Sequence, residues 1–580
     1  MTADTTRRRT LKRSPYLLLT AALSGAVAWW AWPHLNDPGH FAGSPHFTGN
    51  DVGPTLPTLS LDTAVDSWAA HVMLLAAVVA LLVQLYSVAY MGDDPRYRSY
   101  ALLISLFLVA MVAVVATDNL FVLLIGWEVM GVCSYLLIGH HWEAEDAQGG
   151  AAKALLVTRA ADIGLLIAIL IIGQTYGSYA ISDALSGVAA DHARNTTLIG
   201  LLLLIAVVGK SAQVPLQTWL PDAMPGPTPI TALIHAATMV AAGVFVMARL
   251  LPLYETSVVA TTALAIVAAV TMLTAATFAL VQSDLKRALA WSTVSQLALM
   301  FAAVAVADGD AAIDHLTSHG AFKALLFLGC GVAMHAVGSS ALSAMGGLRR
   351  VIPVAFWTMT IGFAALAGLV PTVGFFSKDE VLAAIENAIL GGTSLSNTTV
   401  WVLLIAALLT TMLTAAYATR LWALTFLGPK HDDTGHRTPW VMAAPLVLLA
   451  AATFALSIGK PLHLGIGAAS TGLALVGIAI GWRSRNAPWD STRMGRAVVA
   501  ELGLDRPFSR WIPAIGRLKA TTVVRIDDGL VDSYPRGSAL AANGLAWILD
   551  WMQSAKAQLY ATGIAVGALL AVVGGVVAAR

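Results

Sequence analysis

Long apolar runs recur along almost the whole of this 580-residue chain. A helix needs about 20 apolar residues to cross the hydrocarbon core of a bilayer. Hydrophobic residues make up 57% of the chain and charged residues only 12%, whereas soluble domains hold about 25% charged residues. The chain is therefore predicted to be an all-α integral membrane protein.

About fifteen transmembrane helices are predicted from runs of sufficient length and hydrophobicity. They cover residues 15–33, 66–91, 99–117, 119–139, 153–174, 197–223, 228–250, 257–281, 287–307, 313–337, 353–390, 399–427, 440–458, 463–482 and 556–579. The 353–390 run is too long for a simple helix, and Pro371 within it predicts a broken span. A cleaved signal peptide is the alternative for the first run, but no small-residue cleavage site follows Trp32.

Basic residues concentrate in alternate loops. One set of loops carries Arg7, Arg8, Arg9, Lys12, Arg13, Arg96, Arg98, Lys286, Arg287, Arg349, Arg350, Lys430, Arg437, Arg483 and Arg485. The other set, at 34–65, 175–196, 391–398 and 459–462, carries only Arg194 and Lys460. Because cytoplasmic loops hold an excess of lysine and arginine, the first set and the N-terminus are predicted to be cytoplasmic.

Residues 486–550 depart from the apolar pattern. Apolar residues near helical spacing alternate there with arginines and lysines, which predicts an amphipathic lateral segment on the cytoplasmic surface before the last helix. Pro507, Pro513 and Pro535 interrupt this pattern, so a loosely ordered connector is the alternative.

Cofactor ligands are scarce in the sequence. Cys133 and Cys330 lie in separate apolar runs, which argues against iron–sulfur clusters and disulfide frameworks. The "GKS" at Lys210 has Leu204 where a phosphate-binding P-loop needs glycine. His315 and His319 lack a third metal ligand at matching spacing. We predict that the chain binds no cofactor and no metal. Its net charge of +1 does not indicate binding of nucleic acid.

Ionisable residues nevertheless recur inside the apolar runs. A charge at mid-bilayer costs at least about 2.5–3.5 kcal/mol, so such residues are candidate functional groups. Static ion pairing is the alternative, but every additional charge repeats the insertion cost. The candidates are Glu128, Arg159, Asp162, Lys210, His235, His315, His319, Lys323, Lys378, Asp379 and Glu380.

Two prolines lie close to the central lysines of this row. Pro215 follows Lys210 by five residues, and Pro371 precedes Lys378 by seven. Proline frees the carbonyl four residues back and interrupts a helix, and within a membrane such backbone is tolerated where it is buried or lines a wet cavity. Broken helices in both halves of a chain are typical of transporters built from repeats.

Several motifs together resemble the antiporter-like subunit L (chain 5) family of bacterial NADH:quinone oxidoreductase, respiratory complex I. They include "GWEVMGVCSYLLIG", "VGKSAQVPLQTWLPDAMPGPTPITALIHAATMV", "HLTSHGAFKALLFLGCG" and "GFFSKDEVL". The resemblance is strong over 66–430 and weaker over 463–580. It implies two inverted five-helix repeats, each with half of a proton route, and partners that are other membrane subunits, including a second antiporter-like one.

The resemblance also implies roles for individual residues. Glu128 would be the key glutamate paired with Lys210 on the broken helix, and Arg159 and Asp162 would be supporting polar residues. His235, His315, His319 and Lys323 would form the central relay, and Lys378 with Asp379 its end, beside Glu380.

The chain is expected to divide into six parts. These are N-terminal helices at 1–98, repeats at 99–250 and 251–430, C-terminal helices at 431–485, the lateral segment at 486–550 and a last helix at 551–580. The family typically has one more helix before 66–91.

Lys210 is expected to work as a switchable proton holder. Burial disfavours its charged form, and a carboxylate about 4 Å away favours that form by about 4 kcal/mol at an effective dielectric constant near 20. Movement of Glu128 could then release the proton towards His235, Lys323 and Lys378. The predicted function is proton translocation without redox chemistry. An Mrp-type cation/proton antiporter subunit, the membrane subunit of an inorganic-carbon uptake system and a purely structural scaffold are the alternatives.

Overall fold

A computed structural model of the chain describes residues 3–36, 60–92, 94–189, 195–236, 238–391, 393–428, 438–487, 489, 493–499, 501–504 and 543. The helices described below all lie in one structural unit, Met1–Asp505. The predicted last helix and most of the predicted amphipathic segment at 486–550 lie outside the described residues.

Twenty α-helices follow one another in the described part of the chain. They are α1 (Ala3–Ala31), α2 (Ser67–Tyr90), α3 (Tyr97–Ala116), α4 (Leu120–Ile138), α5 (Glu145–Tyr176), α6 (Ile181–Ala189), α7 (Thr196–Lys210), α8 (Trp219–Asp222), α9 (Thr228–Ala236), α10 (Met239–Arg249), α11 (Leu251–Glu255), α12 (Val258–Val281), α13 (Leu285–Ala305), α14 (Gly309–Val337), α15 (Pro353–Ala367), α16 (Val373–Ile389), α17 (Asn397–Phe426), α18 (Trp440–Ala455), α19 (Leu464–Arg483) and α20 (Arg493–Val499). Short 3₁₀ turns occupy Trp32–His34, Gly139–His141, Leu342–Ala344 and Glu501–Gly503.

The all-α membrane class predicted from the sequence is confirmed. Among the described residues, ten helices are long and apolar enough to cross a membrane, and α7, α15 and α18 are shorter apolar helices. The same residues form no strand, only three isolated β-bridges. The total of fifteen spans stays a prediction.

Three isolated β-bridges show which connections between helices lie at the same end of the molecule. Thr63 pairs with Thr117, and Asn119 with Ala180, which brings the start of α2, the start of α4 and the start of α6 together. Asp284 pairs with Ala341 at the opposite end, beside the start of α13. Thr63 and Ala180, in two of the loops with few basic residues, therefore lie at one end, and Lys286 and Arg287 lie at the other.

Helices α13 and α14 form the centre of the molecule. The apolar stretch of α13 is buried completely, and so is that of the described α9–α10 pair. Helix α14 packs against α2, α9, α10, α13, α15, α16 and α18. Polar side chains on these helices are therefore shielded from lipid by protein on all sides, which lowers the cost of placing them inside a membrane.

Both predicted helix breaks are present, and each begins four residues before its proline. Helix α7 ends at Lys210, immediately before Ser211, and helical structure resumes at α8. Helix α15 ends at Ala367, and α16 begins after Pro371. A proline ring clashes with the carbonyl four residues back and removes a hydrogen-bond donor, which accounts for both positions. Lys210 therefore lies at the end of a helix and not, as predicted, at the centre of one.

The predicted 228–250 span is also divided, into α9 and α10. Five spans then follow in the same order in both predicted repeats. In 99–250 these are α3, α4, α5, α7–α8 and α9–α10, and in 251–430 they are α12, α13, α14, α15–α16 and α17. The fourth span is broken at a proline in both ranges. This order fits two repeats, whose inverted symmetry and boundaries stay predictions.

Candidate functional site

Four of the predicted site residues form two ion pairs near the break after α7. The guanidinium of Arg159 on α5 contacts the carboxylate of Glu128 on α4. Lys210 Nζ lies 3.6 Å from Asp162 Oδ2, and both side chains are buried. The expected contact pair of Lys210 and Glu128 is thus replaced by Lys210 and Asp162. The charge of Glu128 still acts on Lys210 at longer range.

Lys210 is held by an aromatic residue that the sequence analysis did not single out. Its Nζ donates a hydrogen bond of 2.8 Å to the carbonyl oxygen of Trp127 and lies 4.9 Å from the centroid of the Trp127 ring. The indole Nε1 of Trp127 donates to Asp162 Oδ1 at 2.6 Å. Carboxylate, carbonyl and aromatic ring all favour the protonated lysine.

Side chains near the break after α7 donate hydrogen bonds to backbone carbonyl groups. Trp219 Nε1 donates to the carbonyl oxygen of Gly209 at 2.8 Å, and Ser211 Oγ donates to the carbonyl oxygen of Val240 at 2.8 Å. Backbone groups freed within a membrane must find such partners. The break at Pro215 is therefore a stabilised feature that leaves Lys210 at the end of its helix.

His235 on α9 lies deep in the protein with few polar neighbours. Its side chain is buried, and neither ring nitrogen has a hydrogen-bond partner among the described residues. Its ring packs on Phe327 with 4.6 Å between centroids. The charges of Lys323 and Lys286 act on it. Buried polar atoms without a protein partner commonly bind water, so this position suits a water-mediated step.

His315, His319 and Lys323 lie along one face of α14, as their spacing predicts. His315 Nδ1 is 2.9 Å from Ser377 Oγ, and its Nε2 is 3.2 Å from Gln296 Oε1. Lys323 Nζ donates to the carbonyl oxygen of Leu289 at 3.1 Å and contacts the hydroxyl of Ser292.

His319 lies between the other members of the central group. Its ring centroid is 6.2 Å from that of His315, and the charges of Lys323 and Lys378 act on it. Its Nε2 has no partner among the described residues. Ring nitrogens that are free to bind water on either side can pass a proton in either direction.

Lys378 lies beside the second helix break, on α16. Its side chain is buried, and its Nζ donates to the carbonyl oxygen of Leu366, in the last turn of α15. Because the helix ends at Ala367, ahead of Pro371, carbonyl groups in its last turn lack helical donors and can accept from a side chain. Both central lysines thus lie next to backbone that a proline has unwound.

Asp379 and Glu380 lead from Lys378 towards the end of the molecule where α14 begins. Asp379 Oδ2 accepts a hydrogen bond from the backbone N–H of His463 at 3.0 Å, and Oδ1 has no partner among the described residues.

Glu380 lines a cavity of about 370 Å³ together with Asp310, Asp314 and Lys460. Asp314 and Lys460 form an ion pair there. Burial lowers the pKa of Lys460 to about 8.

A larger polar cavity opens at the other end of the molecule. It has a volume of about 660 Å³ and is lined by residues that include His141, Lys153, Asp222, Lys286 and Arg287. Asp222 accepts from both Lys153 at 2.5 Å and Arg287 at 2.8 Å. Lys286 Nζ donates to the carbonyl oxygens of Met224 at 2.6 Å and Gly226 at 2.8 Å. The buried polar groups described above lie between these two cavities along the chain's helices.

Uncharged polar residues complete the site, and the sequence analysis missed them. Buried side chains without a hydrogen-bond partner among the described residues for at least one polar atom include Gln213, Gln217, Thr218, Thr410 and Tyr417. Ser292, Gln296 and Ser377 contact the relay residues directly. Four residues separate Ser292 from Gln296 on α13, so polar spacing at one helical turn was the available signal. No direct hydrogen bond joins the Lys210 group to His235 or Lys323 in the described part of the chain.

Comparison with known proteins gives matches over most of the chain. Residues 116–414 match the family described as "NADH:quinone oxidoreductase/Mrp antiporter, TM", and residues 57–101 match "NADH-Ubiquinone oxidoreductase (complex I), chain 5 N-terminus". A protein of Mycobacterium tuberculosis called NADH-quinone oxidoreductase subunit L is 37% identical over 548 residues, covering 87% of this chain and 84% of that protein. NADH-ubiquinone oxidoreductase chain 5 of Metridium senile is 41% identical, covering 66% of this chain and 64% of its own length.

Two solved structures share the fold. A chain of the Mrp complex from Dietzia sp. superposes with a TM-score of 0.68 and 26% identity, covering 99% of this chain and 61% of that one. A chain of an archaeal membrane-bound sulfane sulfur reductase superposes with a TM-score of 0.65 and 22% identity, covering 83% of this chain and 97% of that one. The family matches, the identity to subunit L and chain 5 proteins and the shared fold agree with one another. The chain belongs to the family of antiporter-like membrane subunits of NADH:quinone oxidoreductases and Mrp antiporters, and resembles its subunit L and chain 5 members.

Proposed function

We propose that this chain is a proton-translocating membrane subunit of an NADH:quinone oxidoreductase and carries no redox chemistry itself. Its relatives called subunit L or chain 5 are named as parts of such enzymes. Partners would be the other membrane subunits of the complex, including a second antiporter-like subunit. The location would be a bacterial plasma membrane, with the N-terminus in the cytoplasm.

A row of buried ionisable side chains carries this proposal. Lys210, His235, His319, Lys323 and Lys378 are each buried, and two of these lysines lie at proline breaks. A static scaffold would gain little from repeated charges whose burial is expensive. Groups that bind and release protons, separated by polar atoms able to hold water, are what proton transfer across a membrane requires.

Asp162 would control the charge on Lys210 in the first half of the route. At 3.6 Å a carboxylate favours the lysine's charged form by roughly 4–5 kcal/mol at an effective dielectric constant near 20. Loss of that contact would leave desolvation unopposed and favour release of the proton. The charge of Glu128 also favours the protonated form of Lys210, so the lysine would release its proton only when both carboxylates have moved away from it or are themselves protonated.

The released proton would pass through water and His235 to the α14 group, and then to Lys378. From Lys378 it would leave by way of Asp379, Glu380 and the cavity that Lys460 lines. The supporting observations are that both ring nitrogens of His235 and Nε2 of His319 have no protein partner among the described residues, and that a cavity lies beside Glu380.

Paired substitutions of Lys210 test this function. Arginine keeps the positive charge but does not release a proton in proteins, whereas alanine removes both. We expect Lys210→Ala and Lys210→Arg each to abolish most proton translocation, measured as acidification of vesicles that hold the assembled complex. Assembly, measured by co-purification, should persist in Lys210→Arg. Normal translocation by Lys210→Arg would show that the lysine is needed only as a fixed charge.

An Mrp-type antiporter subunit is the second candidate, favoured by the structural match to the Dietzia Mrp complex. The two candidates differ in what accompanies the chain and which ion moves. Co-purification of flavin and iron–sulfur subunits would support the oxidoreductase. Sodium efflux driven by a proton gradient, without NADH, would support the antiporter.

A further inference from the structure

Asp94, His140 and His141 converge at the end of the molecule where α4 finishes. Asp94 belongs to the loop between α2 and α3, and the two histidines belong to the 3₁₀ turn Gly139–His141. Asp94 Oδ2 lies 3.0 Å from His140 Nε2 and 3.4 Å from His141 Nε2. One potential ligand atom from each of the three side chains lies within 4.8 Å of the other two.

Contrary to the expectation of no metal from the sequence, we propose that these three side chains bind a divalent transition-metal ion of the zinc class. Bonds of 2.0–2.2 Å in a tetrahedral site place neighbouring ligand atoms about 3.4 Å apart. The two measured separations from Asp94 Oδ2 fit that value within a few tenths of an ångström. Two imidazole nitrogens and one carboxylate oxygen suit Zn²⁺, Co²⁺ or Ni²⁺, and they do not suit Mg²⁺ or Ca²⁺, which prefer oxygen ligands.

The surroundings hold the ligands in place before any metal arrives. The other carboxylate oxygen of Asp94 accepts the backbone N–H of Arg96 at 2.8 Å. The His140 ring packs edge-on against Tyr100, with 5.4 Å between centroids. Such contacts fix the orientation of metal ligands and raise affinity.

The ring nitrogens of both histidines face the same carboxylate oxygen. The two rings lie 5.0 Å apart at 79°. A neutral imidazole can either donate an N–H to Asp94 or present a lone pair to a metal ion, and one metal ion could bind all three facing atoms at once. The nearby Arg96 is already paired with Glu143 at 2.9 Å.

The site is accessible from solvent and adjoins the larger cavity. His140 is buried and Asp94 is partly buried, but the side chain of His141 is 49% exposed, which leaves room for water as a further ligand. His141 also lines the 660 Å³ cavity, with Lys153 and Asp222. A bound metal would therefore tie the α2–α3 loop to the end of α4 at the rim of that cavity.

Metal binding by the full-length chain tests this inference without any measurement of proton transport. The chain, free of a histidine tag and stripped with chelator in detergent, is titrated with Co²⁺ and with Zn²⁺. We expect one equivalent to bind, with the visible absorption of Co²⁺ bound to nitrogen and oxygen ligands, and no comparable binding of Mg²⁺. Asp94→Asn, His140→Gln and His141→Gln should each weaken binding by more than about tenfold.

His71→Gln is the matched control. His71 is an exposed histidine at the opposite end of α2, where its Nδ1 lies 2.7 Å from the carbonyl oxygen of Ser67, and its loss should leave metal binding unchanged. Because His141 is half exposed, His141→Gln should fold even if His140→Gln does not. Absence of stoichiometric binding, or equal binding by His141→Gln and the wild-type chain, would overturn the inference. Either result would leave the proposed proton function untouched.

Discussion

The buried lysines of the two halves differ in what stabilises their charge. Lys210 has the Asp162 carboxylate at 3.6 Å. Lys323 and Lys378 donate instead to the carbonyl oxygens of Leu289 and Leu366, and no ion pair joins either lysine to a carboxylate in the described ranges. A carbonyl dipole compensates an ammonium charge less than a full carboxylate does. A proton that arrives at Lys323 therefore raises the energy of one at Lys378, which favours onward transfer.

The pairing around Lys210 predicts that Asp162 matters at least as much as Glu128. Asparagine in place of Asp162 can still accept the Trp127 indole N–H but cannot offset the lysine charge. We expect Asp162→Asn to slow proton translocation by more than about tenfold, which corresponds to 1.4 kcal/mol. The measurement is the initial rate of vesicle acidification, normalised to the amount of assembled complex.

Glu128→Gln provides the comparison for this prediction. It removes the partner of Arg159 and weakens the longer-range effect on Lys210, so translocation should fall in this variant as well. If Asp162→Asn translocates normally while Glu128→Gln does not, then Lys210 works with Glu128, and the contact with Asp162 is not the functional one.

The sequence identifies these residues but not their partners. An ionisable residue in an apolar run stands out by its insertion cost alone, which is how Glu128, Lys210 and Lys378 could be found. Pairing depends on how three helices pack and on which rotamers fit between them, so Asp162 could not be preferred over Glu128. Trp127 was missed because a tryptophan beside a glutamate is ordinary in a membrane helix.

Within a single helix, the position of a proline predicts where the helix ends. A proline interrupts the helix four residues back, so Pro215 already implies an end near Ser211 and places Lys210 at that end. The same arithmetic from Pro371 gives Ala367, where α15 ends. Contacts between distant loops have no such signal. Asp94 and His140 are 46 residues apart, and nothing in either segment points to the other.

A hydrogen-bond network joins α8, α13 and Glu501 at the end of the molecule that holds the 660 Å³ cavity. Arg287 on α13 donates to Asp222 on α8 at 2.8 Å and to Glu501 at 2.9 Å. Glu501 Oε1 also lies 3.2 Å from the indole Nε1 of Trp291, which donates to it. The segment that follows α19 is thus anchored to the helices around the first break.

Loss of that anchor should destabilise the chain measurably. Glu501→Ala leaves the half-buried Arg287 with one carboxylate and Trp291 without its acceptor, so we expect a loss of about 1–3 kcal/mol in the free energy of unfolding. The measurement is denaturant unfolding in detergent. Glu143→Gln breaks the exposed ion pair with Arg96 and serves as the control, with little change expected. Equal stability of the two variants would mean that the Glu501 contacts contribute nothing.

Hydrogen bonds between residues near the ends of helices show which helix ends lie together in the whole molecule. Thr175 pairs with Asn195 at 3.2 Å, Thr197 with Ser257 at 2.8 Å, and Thr261 with Ser394 at 3.3 Å. These contacts place the starts of α7 and α12 at one end, together with the loop that holds Ser394. Arg96, Lys286 and Arg287 begin helices at the opposite end. These three basic residues therefore lie at the same end of the described structure.

The positive-inside rule then predicts that the end with Arg96 is cytoplasmic. Ser99 and Ser394 are exposed at opposite ends, and the two native cysteines are buried, so single introduced cysteines can report on each side. In intact cells, a membrane-impermeant maleimide should label Ser394→Cys and not Ser99→Cys. Everted vesicles should give the reverse result. Because α1 runs from the N-terminus towards the loop before α2, a reporter fused ahead of residue 14 should be cytoplasmic. Labelling of Ser99→Cys from outside intact cells would invert the topology and, with it, the proposed direction from Lys210 to Lys378.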